Sequence, residues 1–304
     1  MKVLVTGGAG FIGSHIVESL LENNVETVVV DNLTTGYKKN MPPQATFYYF
    51  DIRDPNIDKI FMIEKPDFVI HQAAQVSVQQ SVKQPFYDCS ENVMATINIL
   101  QSCIKYNVKK IIYASTAAVY GDPKYLPIDE NHQLSPISFY GLSKLTSETY
   151  IQLFAKLYGL KYTILRYSNV YGARQTADGE AGVISIFIDR LLKDVNPIIY
   201  GDGKQTRDFI FVKDVAHANF LALTNADNQI CNISSNQQTS VNELISVICS
   251  LMKRKETQIY KDKRRGDIVH SYLLNDNARG NLIWQPEFSL FQGLEETISF
   301  FKKV

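Results

Sequence analysis

A tyrosine and a lysine four positions apart are the side chains of this chain best suited to acid–base chemistry. Tyr140 and Lys144 lie in a stretch with helical periodicity, where residues four apart share one face. A free phenol ionises only near about pH 10, and a neighbouring ammonium favours the phenolate. Ser115 and Thr116 end an apolar run and bring two hydroxyls to the same predicted cleft. We predict a catalytic group of Tyr140, Lys144, Thr116 and Ser115, in which Tyr140 moves the proton. The alternative is an exposed Tyr–Lys pair on a helix surface.

A glycine-rich turn near the beginning of the chain predicts a site for a pyrophosphate. The apolar run 3–5 has the length of a buried strand, and 11–21 has the periodicity of a helix. A strand that enters a helix through glycines leaves bare amide groups and the positive end of the helix dipole directed at one point. The residues predicted to hold the cofactor here are Gly7, Gly10, Phe11, Ile12 and Gly13.

An acidic residue follows this turn at the distance expected for a ribose acceptor. Asp31 ends a second strand-like run, 27–30, about 20 residues beyond the glycines. A carboxylate there would repel a 2′-phosphate, so the pattern favours NAD over NADP as the cofactor, with Asn32 beside it. The alternative is an ordinary βαβ unit in which Asp31 caps the next loop.

The fold must bring these distant residues together, and the alternation of strand and helix patterns indicates how. Further strands are predicted at 45–51, 67–72, 110–115 and 162–167, and helices at 91–106, 140–158 and after Asp54. This alternation predicts an α/β fold with a doubly wound parallel sheet, in which ligands bind outside the carboxyl ends of the strands. Ala73, Ala74 and Gln75 follow one such strand, and their short side chains would let a cofactor approach the backbone.

The length of 304 residues is enough for two lobes. We predict a dinucleotide-binding domain over 1–167 and a smaller α/β substrate-binding domain over 168–304. In the second lobe, 208–225 reads as a strand and a helix that pack back on the first lobe.

Composition excludes several classes of partner. Acidic and basic residues balance at 31 each, so no bulk field favours nucleic acid or membrane. No apolar run reaches the roughly 20 residues that span a bilayer. The first strand begins at once, which leaves no room for a signal peptide, so we expect a cytoplasmic protein. The five histidines show no metal-binding spacing, and we expect the four cysteines to be reduced core residues.

The combined motifs resemble the extended branch of the short-chain dehydrogenase/reductase superfamily. The resemblance rests on the glycine turn, Asp31, the run Ser-Thr-Ala-Ala-Val-Tyr-Gly at 115–121 and Tyr140-x-x-x-Lys144. It covers essentially the whole chain and is strongest for UDP-glucose 4-epimerase-like members. It implies tightly held NAD, a UDP-sugar substrate, and a homodimer joined through the helices at 91–106 and 140–158.

The resemblance also assigns roles to residues that match the family pattern. Toward the cofactor it implies Asp51, Ile52, Ala73, Ala74, Gln75, Asn92, Tyr140, Lys144 and Tyr167. For Asn92 it leaves two roles open, which are to hold the cofactor or to hold the helix beside it. Toward the UDP-sugar it implies Thr116, Tyr140, Asn169, Arg207, Arg264, Asp267 and Ser271. Arginines suit this task because a guanidinium binds a diphosphate through two parallel hydrogen bonds. Ser271 occupies the position that decides whether an N-acetyl group fits, and its small side chain leaves room.

The implied reaction is a 4-epimerisation of UDP-hexoses, UDP-glucose with UDP-galactose and also their N-acetylated counterparts. Oxidation at C4 gives a 4-keto sugar, which then takes hydride back on its other face. Related 4,6-dehydratases carry acidic residues after the hydroxyl pair, whereas this chain has Ala117 and Ala118. The alternatives that remain are an epimerase for a UDP-uronic acid or UDP-pentose, a 4,6-dehydratase, a thymidine nucleotide in place of uridine, and a cofactor-binding module without catalysis.

Overall fold

A computed structural model describes residues 1–176, 182–263 and 268–303. Its strands are β1 Lys2–Thr6, β2 Glu26–Asp31, β3 Thr46–Tyr49, β4 Phe68–His71, β5 Lys110–Thr116, β6 Lys161–Tyr167, β7 Asn169–Tyr171, β8 Ile198–Tyr200, β9 Thr206–Arg207, β10 Phe209–Phe211, β11 Gln229–Ile233, β12 Thr239–Ser240 and β13 Ile259–Lys261. Its α-helices are α1 Phe11–Glu22, α2 Asp58–Glu64, α3 Val78–Lys83, α4 Pro85–Cys89, α5 Ala95–Lys105, α6 Phe139–Tyr158, α7 Val183–Leu192, α8 Val212–Leu221, α9 Val241–Met252 and α10 Leu290–Phe301.

The central sheet has seven strands in the order β11-β6-β5-β4-β1-β2-β3, and every neighbouring pair is parallel. This arrangement confirms the predicted doubly wound sheet. The direction of winding reverses at β1, which has β2 on one side and β4 on the other. A crevice opens at such a point beyond the carboxyl ends of the strands.

Apolar side chains alternate between the two faces of the sheet, as a period of two requires. On β5, Ile112 and Ala114 join the core that contains Ile16 of α1. Ile111 and Tyr113 join the opposite core, which includes Ile99 of α5 and Ile151 of α6. Each strand of the sheet interior therefore serves two separate helix layers.

The second lobe returns twice to the first. Helices α7, α9 and α10 surround a core of their own, which contains Phe187, Ile245 and Leu294. Helix α8 packs against α1, where Val215 and Ala218 share a core with Ile16. Strand β11 pairs with β6 as the seventh strand, an element that the sequence analysis did not predict. Two segments that follow the predicted boundary at residue 167, α8 and β11, therefore pack on the predicted first domain.

The helix predicted at 91–106 begins with an irregular turn. Residues Ser90–Met94 form a π-helical turn that leads into α5. Such turns widen a helix locally and are frequent at functional sites. Cys89, at the end of α4, is exposed, so the expectation of a core residue was wrong for Cys89, whereas Cys103, Cys231 and Cys249 are buried. None of the helices in the described ranges is long and apolar enough to cross a membrane.

The turn between β1 and α1 depends on glycine at two positions. Gly7 has a φ of +69°, and a Cβ there would lie 2.6 Å from the Ala73 amide nitrogen. A Cβ on Gly13 would lie 2.1 Å from the Gly7 carbonyl oxygen. Both obstacles are backbone atoms, which cannot swing aside as a flexible side chain can. The turn is therefore as tight as backbone packing allows.

We predict that Gly13→Ala destabilises the protein by about 2 kcal/mol or more, because the new methyl group must displace the backbone of the turn. Gly280→Ala is the matched control, since a Cβ at Gly280 meets nothing within 4 Å. That change should be neutral or stabilising by up to about 1 kcal/mol. Urea denaturation followed by circular dichroism gives both free energies of unfolding. Equal stabilities for the two variants would contradict this account of the turn.

Candidate active site

The beginning of α6 lies directly on the turn that follows β5. The Ser138 hydroxyl caps the helix by accepting a hydrogen bond of 3.0 Å from the Gly141 amide. A Cβ on Gly141 would lie 2.6 Å from the Ala118 carbonyl oxygen, so the helix and the turn are in backbone contact. Thr116 begins that turn, and its hydroxyl accepts a hydrogen bond of 3.2 Å from the Ala118 amide. Tyr140 is half-buried in the first turn of α6, which is the part of the helix that touches the turn begun by Thr116.

Lys144 is buried one turn further along α6. Its side chain is 3% exposed, and its Nζ donates a hydrogen bond of 2.9 Å to the Ala114 carbonyl oxygen of β5. Burial lowers the pKa of Lys144 to about 8, against the opposing influence of the Asp88 and Glu148 carboxylates. The ammonium is thus fixed at the strand end with little water around it.

The structure corrects the prediction that Ser115 belongs to the catalytic group. The Ser115 hydroxyl is buried and donates a short hydrogen bond to the Glu148 carboxylate. This hydrogen bond commits the Ser115 hydroxyl to Glu148 of α6. We retain Thr116 as the candidate catalytic hydroxyl.

The Glu148 carboxylate is the acceptor of a buried hydrogen-bond network that sequence reasoning missed. Arg166 of β6 donates to both of its oxygens, at 3.0 and 2.6 Å. Arg166 also donates to the Tyr120 hydroxyl at 3.0 Å, and Tyr120 in turn donates to Asn232 of β11 at 2.7 Å. The network joins α6 to three strands of the sheet. Its sequence signal is the spacing of Glu148, which lies four residues beyond Lys144 and thus on the same helix face.

Asn92 is the centre of a second junction. It is 1% exposed on the π-helical turn, and its side-chain amide accepts from the Gln75 amide at 2.9 Å and donates to the Gln75 carbonyl at 3.0 Å. It also donates to the Ser143 hydroxyl at 3.0 Å. Asn92 therefore ties the loop after β4 to the helix that carries Tyr140 and Lys144. The resemblance offered two roles for Asn92, and these contacts are those of the helix-holding one.

The first turn of α1 is free to bind an anion. Gly10 is its N-cap, no side chain caps its amide groups, and no acidic residue lies in its first turn. Serine side chains cap the helices after Ser77, Ser138, Ser240 and Ser289, whereas α7 and α8 begin without a side-chain cap, as α1 does. Uncapped amides at a helix N-terminus suit a phosphate group. The turn thus fits the pyrophosphate of a dinucleotide, with Phe11 and Ile12 as the predicted amide donors.

Asp31 lies at the carboxyl end of β2, beside the glycine turn. One carboxylate oxygen accepts from the Ala9 amide at 2.9 Å and the other from the Leu33 amide at 2.7 Å. Burial raises the pKa of Asp31, and these two hydrogen bonds oppose that rise. Asp31 thus organises the following loop, as the alternative interpretation expected, and a ribose contact stays a prediction.

A charged cluster follows β3 at the predicted adenine end. Asn32 donates to the Asp51 carboxylate at 3.2 Å, and Arg53 donates to it at 2.5 Å. The hydrogen bonds from Arg53 are the main reason that the pKa of Asp51 falls to about 2. Ile52 is buried between them. The charge of Asp51 is therefore already neutralised by Arg53.

The loop after β4 lies against the glycine turn. The Ala73 amide donates to the Thr6 hydroxyl at 3.2 Å, and Ala74 and Gln75 follow it, half-buried. Thr6 also contacts buried His71, whose pKa burial lowers to about 3, so His71 is neutral. This loop borders the crevice with backbone and short side chains.

Tyr167 ends β6 beneath the same crevice. Its ring is 5% exposed and lies in the core that contains Ile16. Its hydroxyl accepts hydrogen bonds from Gln72 at 2.9 Å and from Asn219 at 2.8 Å. The predicted contact with the nicotinamide end of the cofactor stays a prediction.

Two of the predicted substrate residues lie next to Asp208, which the sequence analysis did not select. Asn169 donates its amide to the Asp208 carbonyl at 2.9 Å, and Arg207 directly precedes Asp208. The Asp208 carboxylate accepts hydrogen bonds from Ser235 and from the Leu273 amide. Burial raises the pKa of Asp208 to about 6, although these hydrogen bonds favour its charged form.

Ser271 completes this neighbourhood. It is half-buried and donates its amide to the Thr206 carbonyl at 3.3 Å, next to Arg207. Arg264 and Asp267 lie outside the described residues. Within the ranges that are described, no cluster of three or more His, Cys, Asp or Glu side chains could hold a metal ion.

Known proteins resemble this chain over essentially its whole length. The sequence profile described as "NAD dependent epimerase/dehydratase family" matches residues 3–234. A relative from Methanocaldococcus jannaschii, named provisionally as a UDP-glucose 4-epimerase, is 52% identical over 301 residues, which are 99% of this chain and 98% of the relative.

Solved structures agree with the sequence comparison. A UDP-glucose 4-epimerase from Thermotoga maritima, crystallised with UDP-glucose, is 43% identical with a TM-score of 0.97, over 100% of this chain and 99% of its own. A UDP-N-acetylglucosamine 4-epimerase from Methanobrevibacter ruminantium, in complex with UDP-N-acetylmuramic acid, is 36% identical with a TM-score of 0.95, over 99% and 98%.

Proposed function

Because the chain belongs to the NAD-dependent epimerase/dehydratase family, we propose that it is an NAD-dependent isomerase that epimerises UDP-hexoses at C4. The observation that carries the proposal is the buried Lys144 ammonium one turn from Tyr140, on a helix whose start touches the turn after Thr116. Full-length similarity to UDP-glucose 4-epimerases supports the same reaction.

Each side chain of the site has a separate role in the proposed reaction. Tyr140 takes the proton of the sugar 4-hydroxyl and later returns it, and the Lys144 charge favours the phenolate form that this requires. Thr116 hydrogen-bonds the same sugar oxygen. Bound NAD supplies the acceptor and donor of hydride at C4, so it must remain in place through the cycle.

Binding is assigned to residues on both sides of the crevice. The α1 amides hold the cofactor pyrophosphate and Asp31 the adenosine ribose. On the substrate side, Arg207 binds the diphosphate of the UDP group, and Asn169, whose backbone amide donates to the Asp208 carbonyl, contacts the same group. A neutral protein needs such local cations to retain an anionic substrate.

A dehydratase is the alternative within the family. Ala117 and Ala118 stand where that reaction needs an acid and a base, and methyl groups cannot transfer protons. This favours epimerisation, in which only the C4 oxygen and carbon change their bonding.

We predict that the purified protein converts UDP-galactose without added cofactor to a product of unchanged mass and inverted C4, as measured by mass spectrometry and NMR. Tyr140→Phe should lower kcat by about 100-fold or more, because the proton acceptor is lost. Tyr158→Phe, a change to an exposed tyrosine at the end of the same helix, is the control and should retain turnover.

Other products would overturn this proposal. A product that has lost water would indicate a dehydratase. No reaction with any nucleotide sugar, even with NAD supplied, would indicate a cofactor-binding module. Full turnover by Tyr140→Phe would exclude the assigned mechanism.

We further propose that N-acetylated sugars are accepted alongside UDP-glucose and UDP-galactose. The small Ser271 side chain, next to Arg207, supports this, as does similarity to a UDP-N-acetylglucosamine 4-epimerase.

Ser271→Tyr should fill the space for the acetyl group and lower the ratio of kcat/KM for UDP-N-acetylgalactosamine over UDP-galactose by about tenfold or more. Ser271→Ala retains the space and should leave the ratio near that of the unmodified enzyme. Steady-state kinetics with both sugars measures the ratios, and an unchanged ratio in Ser271→Tyr would refute the proposal.

We also propose that the protein is a homodimer. Helix α6 exposes an apolar stripe at intervals that keep it on one face, formed by Phe139, Leu142, Tyr150, Leu153 and Leu157. Nearby exposed residues include Val82, Met94 and Phe86, which is 88% exposed. An apolar surface of this kind on α6 and on the helical segments beside it suits a two-fold contact with a second copy.

Leu153→Glu should convert the dimer to a monomer, because two carboxylates would be buried near the two-fold axis. Ile63→Glu is the control, since Ile63 is 62% exposed on α2, away from the stripe. Sedimentation velocity measures both. A monomeric unmodified protein, or dissociation of both variants alike, would contradict this interface.

A further inference from the structure

The ring of Tyr113 lies beneath the Lys144 ammonium. The distance from Lys144 Nζ to the ring centroid is 4.8 Å, and Tyr113 is 1% exposed. A cation over an aromatic face at this distance is attracted by the ring quadrupole, and most strongly when water is excluded. Sequence reasoning passed over Tyr113 because it lies within an apolar strand.

The contact belongs to a regular match between α6 and β5. Residues 144 and 148 of the helix face residues 113 and 115 of the strand, as the contacts Lys144–Tyr113 and Glu148–Ser115 show. Four helical residues span about 6 Å and two strand residues about 6.6 Å. Both side-chain pairs can therefore be in contact at once along the helix and the strand. The helix therefore presents its cation and its carboxylate to different partners.

The carboxylates around Lys144 are committed elsewhere. Glu148 binds Arg166 and Ser115, and Asp88 accepts hydrogen bonds from Gln75 and Asn92. Among the described residues, none forms an ion pair with Lys144 within 4.0 Å, while both carboxylates raise its pKa from a greater distance.

The remaining groups that face Lys144 carry no compensating charge. His71 of β4 is buried and neutral, with its ring 5.6 Å from that of Tyr113. Tyr140 lies on the helix itself. The aromatic face therefore stabilises the ammonium together with the Ala114 carbonyl.

We propose that Tyr113 is a positioning residue whose ring keeps the Lys144 ammonium protonated and in place without adding a negative charge. A carboxylate in this position would stabilise the ammonium as well, but it would cancel the positive potential that Tyr140 needs. The ring stabilises the cation and leaves its charge available. The catalytic consequence rests on the proposed function, whereas the contact itself does not.

The test varies the quadrupole of the aromatic ring at position 113 and keeps the shape of the ring nearly constant. Tyr113→Phe keeps the ring and removes a buried hydroxyl whose polar neighbours are the Ser147 and Thr96 hydroxyls and which makes no hydrogen bond of regular geometry in the described part of the chain. Phenylalanines with one, two and three ring fluorines, introduced at position 113, then weaken the quadrupole stepwise. In the full-length protein with its bound dinucleotide, NMR of ¹⁵N-labelled lysine follows the titration of Lys144, assigned with Lys144→Arg.

Tyr113→Phe should keep the pKa of Lys144 found in the unmodified protein. Each fluorine should lower that pKa further, by about one pH unit in total for three, which is a tenfold change in proton affinity. The alkaline limb of kcat should move with it, and KM should not change.

The proposal would be overturned if the pKa of Lys144 were the same across the fluorinated series. It would also be overturned if Tyr113→Phe alone lowered that pKa as far as the fluorinated variants do. The NMR titration does not need turnover. If Lys144 follows the series but the unmodified protein epimerises no sugar, the ring contact stands and the proposed function fails. If the protein is an epimerase and the titration is flat, the function stands and Tyr113 is only a core residue.

Discussion

The ion pair between Glu148 and Arg166 is the interaction on which the geometry of this site depends. Both side chains are 2% exposed, and their closest oxygen and nitrogen are 2.6 Å apart. A buried carboxylate that loses its partner typically costs about 3–5 kcal/mol, a large share of the stability of a typical domain. The pair adds specificity because Ser115, Tyr120 and Asn232 complete its hydrogen bonds. The network therefore fixes the position of α6, with Tyr140 and Lys144, relative to β5.

Two junctions fix this helix from opposite sides. Glu148 holds its middle to the sheet, and Asn92 holds its first turns to the loop after β4 through Ser143. The glycine turn and the helix with Tyr140 and Lys144 belong to different parts of the sequence, yet the same few buried polar groups set their relative position. Preorganisation of this kind lets a site act without rearranging during the reaction.

The sequence predicted the features that local patterns encode. The glycine turn, Asp31 and the alternating strands led to the parallel sheet because each has a period or a steric requirement of its own. Ser115 was assigned wrongly because its hydroxyl is committed to Glu148, a contact between residues 33 positions apart that no local pattern contains. Strand β11 escaped prediction because its five residues are a short mixture of polar and apolar types. Glu148, Tyr113 and Asp208 act through contacts with distant residues, and single-sequence patterns do not contain such contacts.

The repeated return of the chain to the first lobe has a mechanical consequence. After β6 the backbone leaves the sheet, comes back as α8 against α1, and comes back again as β11 beside β6. Two lobes joined by a single linker can rotate about it as a hinge. Several chain crossings between the lobes restrict such a rotation. The two walls of the crevice are thus connected by several chain crossings, and under the proposed epimerisation the sugar would have to rotate between them to present its second face to the cofactor.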